Sequence, residues 1–153
     1  MSESTSCSPT WSASGYCSRC DLLVGLDGLH VASVRKVAGR RGAVLRVAVG
    51  SPARVEGCPG CGVVAASHGR RTVRLVGTPC FGRPVELIWR QRVWRCEEPA
   101  CPVGAFTEQD ETVARPRALL STRACWWALR QLRREHASVL GLARQLGTSW
   151  RTL

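Results

Sequence analysis

Nine cysteines stand in a chain of 153 residues, and four of them have the spacing of a metal site. Cys58-Pro59-Gly60-Cys61-Gly62 is followed, with 34 residues between Cys61 and Cys96, by Cys96-Glu97-Glu98-Pro99-Ala100-Cys101-Pro102. Two cysteines separated by two residues form a knuckle whose backbone amides can donate to the thiolates. The glycine after the second permits the tight turn that follows. The second pair, spaced by four, completes four thiolates around a tetrahedral ion. Cys58, Cys61, Cys96 and Cys101 are therefore the expected ligands of one Zn2+. Four protein ligands leave no open position for water or substrate, so the site is structural and not catalytic. A small sheet with little core needs such a metal to fold.

The other cysteines are read differently. Cys17-Ser18-Arg19-Cys20 repeats the knuckle spacing, but only Cys7, Cys80 and Cys125 remain as partners, and whether Cys17 and Cys20 bind a second metal stays open. Cys125 falls on an apolar helical stripe and is assigned to the core. Cys80 lies in a turn. His68, in a basic loop, is read as a phosphate contact or a bystander rather than a ligand. An odd total argues against a fully paired disulfide framework. Met1 to Thr10 lacks the basic and apolar regions of a signal peptide. No apolar stretch approaches the ~20 residues that cross a bilayer. The expected setting is a reducing cytoplasm, with no membrane partner.

Charge points to the partner. Lys and Arg number 22 against 11 Asp and Glu, for a formal net charge of +11, and Lys36 is the only lysine. Arginine suits bidentate contacts with phosphate and with guanine edges, which favours a nucleic-acid partner. Arg70, Arg71, Arg74, Arg90, Arg92 and Arg95 lie on or beside candidate strands, where they are expected to line one face against phosphates.

The elements that must position these groups are an α+β set. Residues 1–20 read as a disordered tail, Ser- and Thr-rich and without periodicity up to about Gly15. Residues 21–52 read as a β-hairpin: His30–Val37 and Ala43–Val49 are valine-rich, with Gly39-Arg40-Arg41-Gly42 between them. Leu45, Val47 and Val49 share one face. Residues 53–110 form the zinc-ribbon domain, with strands expected over Thr72–Val76 and Val85–Arg95 and a turn over Gly77–Pro84. In the longer strand Val85, Leu87, Trp89 and Val93 alternate with Glu86, Arg90 and Arg92.

Residues 111–153 change to helical period. One helix follows Pro116, with Ala118, Cys125, Leu129 and Leu132 as its apolar stripe and Trp126 beside it. A second runs over about Ser138–Leu146, closed by Gly147. This pair reads as the start of a helix-turn-helix. Ala143 lets the helices approach, Leu146 fills the angle between them, and Ser149 opens a recognition helix of which only Trp150, Arg151, Thr152 and Leu153 are present. Arg144, Ser149, Trp150, Arg151 and Thr152 are the expected DNA contacts here. A helix so short frays, so duplex binding should keep its salt-dependent phosphate part and lose most discrimination.

Taken together, these segments resemble the ISL-three family of insertion-sequence transposases. The resemblance rests on Leu22–Leu29 and the strands after it, Cys58-Pro-Gly-Cys-Gly, and Arg74-Leu75…Pro79…Gly82-Arg83-Pro84-Val85. It continues through Arg92-Val-Trp-Arg-Cys96, Pro99-Ala-Cys101-Pro102, Phe106-Thr-Glu108 and Leu142–Leu153, and so spans roughly residues 21–153. The family pairs a four-cysteine finger and a helix-turn-helix with an RNase H-like DDE nuclease domain. The resemblance implies a DNA-binding module that recognises the element's terminal inverted repeats in double-stranded DNA, in a cytoplasmic, nucleoid-associated bacterial protein; whether it is a homo-oligomer stays open. Gly77-Thr78 stands where the family usually has an acid before the Pro79 position. The chain stops at Leu153, before any DDE carboxylate, so no nuclease activity is expected of it. The alternative is a zinc-stabilised protein-interaction module or an autonomous DNA-binding regulator.

Overall fold

A computed structural model of the chain describes residues 16–153. Of the tail expected over 1–20, residues 1–15 lie outside them, and Ser18–Cys20 belong to a helix instead. The fold is α+β: one mixed sheet, a helix at its start and two helices at its end. Among the described residues no helix is long and apolar enough to cross a membrane.

The described residues open with a helix not expected from the sequence, α1 (Ser18–Val24), ended by Gly25 in the left-handed region at φ 58°. Asp21 ties it to the first strand, accepting from the Val31 amide at 2.7 Å and meeting His30 Nδ1 at 2.8 Å. Strands β1 (His30–Gly39) and β2 (Gly42–Gly50) form the expected antiparallel hairpin. Gly42, at φ 119°, takes a conformation closed to other residues.

The long strands β3 (Ala66–Cys80) and β4 (Arg83–Arg95) pair antiparallel over nearly their whole length. Both outrun the expected boundaries, and the turn shrinks from Gly77–Pro84 to Phe81-Gly82. The two prolines of this stretch suggest a longer turn than forms. Pro79 is tolerated because β3 is an edge strand and its register shifts between Gly77 and Cys80.

The strand order is β1-β2-β4-β3, with β2 parallel to β4 and the short β5 (Ala105–Thr107) antiparallel to the end of β4. One face of the sheet is the main core. Val31, Val47, Val49, Leu75, Val85, Leu87 and Trp89 are buried there under Leu29, Val113 and Ala114. The face-sharing expected of Leu45, Val47 and Val49, and of Val85, Leu87 and Trp89, holds, whereas Val93, expected with the latter, is half-buried beside β5 and outside this core. Each large side chain buried in this way contributes roughly 1.5–3 kcal/mol.

The helices α2 (Thr122–Arg134) and α3 (Val139–Leu146) build a second core of Leu120, Ala124, Ala128, Leu142 and Leu146, with Val76 of β3 against it. The first helix departs from expectation. It starts at Thr122, where the Ser121 side chain accepts from the Ala124 amide at 3.2 Å, so Pro116 lies outside it. Its buried residues are Ala124 and Ala128, whereas Cys125, Trp126, Leu129 and Leu132 are exposed. Small residues win the inner face because they let the helix lie close to its neighbours. The assignment of Cys125 to the core is thus corrected. In α3 Ser138 caps the start and Gly147, at φ 67°, ends it; Ala143 and Leu146 are buried as expected, and Leu142 is buried with them. A 3-10 turn follows at Trp150–Thr152.

Candidate metal centre and basic face

The register of β3 and β4 brings the two knuckles together. The first lies in the β2–β3 connection, where Gly57 bridges Val64. The second follows β4 directly. Ala66, opening β3, pairs with Arg95, closing β4, so Cys58–Cys61 and Cys96–Cys101 emerge side by side. In the first knuckle the Gly62 amide donates to the Cys58 carbonyl at 2.8 Å and the Gly60 amide points at Cys58 Sγ at 3.4 Å. Gly60 has no room for a side chain: a Cβ there would stand 2.5 Å from Val103 Cγ2 and 3.4 Å from Cys101 Sγ.

The four sulfurs lie within 4.8 Å of one another. Cys58 and Cys101 are 3.6 Å apart, Cys61 and Cys96 3.5 Å. A tetrahedron with Zn–S bonds of about 2.3 Å has an edge of roughly 3.8 Å, so the separations suit zinc. They do not suit free thiols. Burial alone would push the Cys58 thiol up, but the amides of Gly60 and Cys61, with the neighbouring thiols, bring it down to about 7. The Glu98 amide favours the Cys96 thiolate, yet burial and the three other cysteines push that group up to about 12. Cys101 is raised too, its Val103 amide outweighed by burial and by Cys58 and Cys61. Thiolates crowded this closely cannot all ionise without a cation among them. Cys58, Cys61, Cys96 and Cys101 form a structural zinc site.

Three further residues fasten this end of the sheet: Glu108 and Gln91, which the sequence did not single out, and Arg92, expected there on phosphates. Glu108, buried, accepts from the Arg92 amide at 3.0 Å and faces Arg54 at 3.5 Å. Gln91, also buried, donates to the Glu108 carbonyl at 3.1 Å. Arg92 donates to the carbonyls of Pro52 and Ser51 at 3.1 and 3.2 Å. Their partners are backbone atoms far along the chain, a signal that sequence spacing does not carry.

The arginines expected on one face divide between two. Cross-strand pairing puts Arg70 beside Arg92, Thr72 beside Arg90 and Arg74 beside Ile88, all on the face opposite the main core. Arg35 and Arg46, which the sequence reading did not select, join them through the pairs Arg35–Arg46 and Arg46–Glu86. Arg71 pairs with buried Gln91 and points the other way, and Arg95 lies next to the zinc knuckles. Glu86 is the acid of this face, bridged to Arg46 and, at 3.7 Å, to Arg74.

At the chain's end Arg144, Ser149, Trp150 and Arg151 are exposed and Thr152 is partly covered. Arg151 lies over the Trp150 ring at 5.5 Å, and the Ser149 and Thr152 hydroxyls are 3.1 Å apart. His68 is exposed on β3 and takes no part in the four-sulfur cluster. Cys80, placed in a turn by the sequence reading, ends β3 and packs against the main core with Cys20. Cys17 precedes α1, and Cys7 lies outside the described residues.

Sheet and site together define a zinc ribbon whose metal is structural, carried on an α+β scaffold. Residues 54–101 match the family described as the zinc-finger of transposase IS204/IS1001/IS1096/IS1165, so this stretch is a transposase-type zinc-finger region. The match takes in both knuckles and the β3–β4 pair between them. No curated protein and no solved structure matches the chain.

Proposed function

We propose that the chain is a DNA-binding module of an insertion-sequence transposase of the ISL-three type, recognising the element's terminal inverted repeats. One observation carries this reading: the transposase zinc-finger match falls on the four cysteines that the structure gathers into a zinc site. The helices that follow support it. α3, Gly147 in the left-handed turn and the Ser149–Thr152 turn have the order of a helix-turn-helix, with Arg144, Ser149, Trp150, Arg151 and Thr152 toward DNA. Zinc holds the scaffold, arginines neutralise phosphates, and the module acts in the cytoplasm at the nucleoid. The zinc ribbon is a non-catalytic region, and strand cleavage belongs to DDE carboxylates that these 153 residues do not supply.

The test is equilibrium binding to a duplex bearing the terminal repeat of the encoding element and to a scrambled duplex, over a salt series. A steep fall of affinity with salt supports the reading, and a preference for the repeat extends it to recognition. Failure to bind either duplex at low salt removes it. A second reading, a zinc-stabilised protein-interaction module or a homo-oligomer contact, is favoured by exposed Trp126, Leu129 and Leu132 on α2. Sedimentation across a concentration series tests it, and a monomer throughout would exclude the oligomer.

A further inference from the structure

Resting on the DNA-binding reading above, we infer that the open second face of the sheet is a docking surface for the phosphates of duplex DNA, separate from the helix-turn-helix. The register lays out this face in rows across four strands. Arg35 and Arg46 stand beside Glu86; Ser33 and Ala48 beside Ile88 and Arg74; Gly50 beside Arg90 and Thr72; Arg92 beside Arg70. The floor is low and small, and arginines stand around it.

Charge balance singles out the groups that matter. Glu86 engages Arg46 and Arg74, and Arg92 is held by the Ser51 and Pro52 carbonyls. Arg35, Arg70 and Arg90 are exposed and, among the described residues, have no acidic partner. Arg70 leans across Gly50 to donate to the Arg90 carbonyl at 3.3 Å. Arginine on an edge strand also discourages edge-to-edge pairing. Arg90 has no such duty, because β4 is an interior strand.

The chemistry selects duplex DNA. Ser33, Ala48, Gly50, Thr72 and Ile88 offer no aromatic ring on which single-stranded bases would stack. Nor do they offer the aromatic or Met anchors of a protein interface. Arg35 on β1 and Arg70 on β3 lie three strand spacings apart across the sheet, about 14 Å, and six residues apart along β4, from Glu86 to Arg92, about 20 Å. The exposed arginines thus span roughly 24 Å from corner to corner, on the order of seven phosphate steps along a DNA strand, so a duplex laid on the face meets them at several phosphates. At the far end of the same face Gly147 of the α3 cap abuts Pro84, so helix and sheet approach one ligand from one side.

The experiment compares two triple variants of the full chain that lose the same charge, Arg35→Gln/Arg70→Gln/Arg90→Gln and Arg19→Gln/Arg40→Gln/Arg41→Gln. Binding to a short mixed-sequence duplex is followed by anisotropy over a salt series, with zinc content and melting checked for each. The sheet-face triple should lower the slope of log K against log salt by about 2–3, each lost phosphate contact removing about one. The control triple should leave most of that slope in place. Equal losses in both triples would reduce the effect to net charge and overturn the inference. So would an unchanged slope in the sheet-face triple, or tighter binding to single strands by the parent chain. In each of these cases DNA binding itself would still stand. No duplex binding by the parent chain would remove the reading beneath. If the triple loses its zinc, the single variants Arg35→Gln and Arg70→Gln serve instead, each expected to lower the slope by about one.

Discussion

A thiol in this protein is governed by its three neighbours. Cys58 ionises near neutrality because amides aim at it, and Cys96 resists because sulfurs crowd it. Zinc reverses the second effect, so replacing one ligand removes the cation and leaves buried thiols facing one another. Cys96→Ser should drop zinc below one per chain and abolish cooperative melting, read by metal analysis and circular dichroism; full zinc content would refute the ligand set. Glu108 makes a different prediction. Glu108→Ala strands the Arg92 amide in a partly buried place and should cost about 1–3 kcal/mol in denaturant unfolding. Glu108→Gln keeps an acceptor there and should recover much of the loss, since exposed Arg54 gains little from the charge. The cysteines were legible because knuckle spacing is local. Glu108 was not, because its partner is an amide 16 residues away whose approach depends on where the chain leaves β4.

Strands and helices were legible to different depths. Alternation in β4 placed its core side chains, and the Gly39–Gly42 turn placed the first hairpin. The apolar stripe of α2 was misread because periodicity counts large residues, whereas the helix approaches its neighbours through Ala124 and Ala128. That correction can be measured. Leu142→Ala should cost about 2–5 kcal/mol by opening a cavity in the second core. Trp126→Ala, at a position 65% exposed, should change stability by less than about 0.5 kcal/mol. Both should keep one zinc per chain, because the helical core is built on the Val76 end of the sheet and the metal lies at the other. A large loss from Trp126→Ala would restore the original stripe.

At the scale of the molecule, the pairing of β2 with β4 joins the hairpin to the zinc ribbon in one sheet. Nothing local announces it, since parallel register is chosen by packing between distant segments. The connection from β2 to β4 contains the first knuckle and all of β3, and Leu45 meets Val85 across it. Bringing such distant strands together is an entropic barrier met before contacts repay it. A cation gripping Cys58, Cys61, Cys96 and Cys101 would shorten that search, by holding β3 against β4 before β2 arrives. Zinc should therefore act on time as well as on equilibrium. In stopped-flow refolding the metal-loaded chain should reach the native Trp89 signal at least several-fold faster than chain given zinc only afterwards. Equal rates would mean that the hairpin finds β4 unaided and that the metal merely locks a sheet already formed.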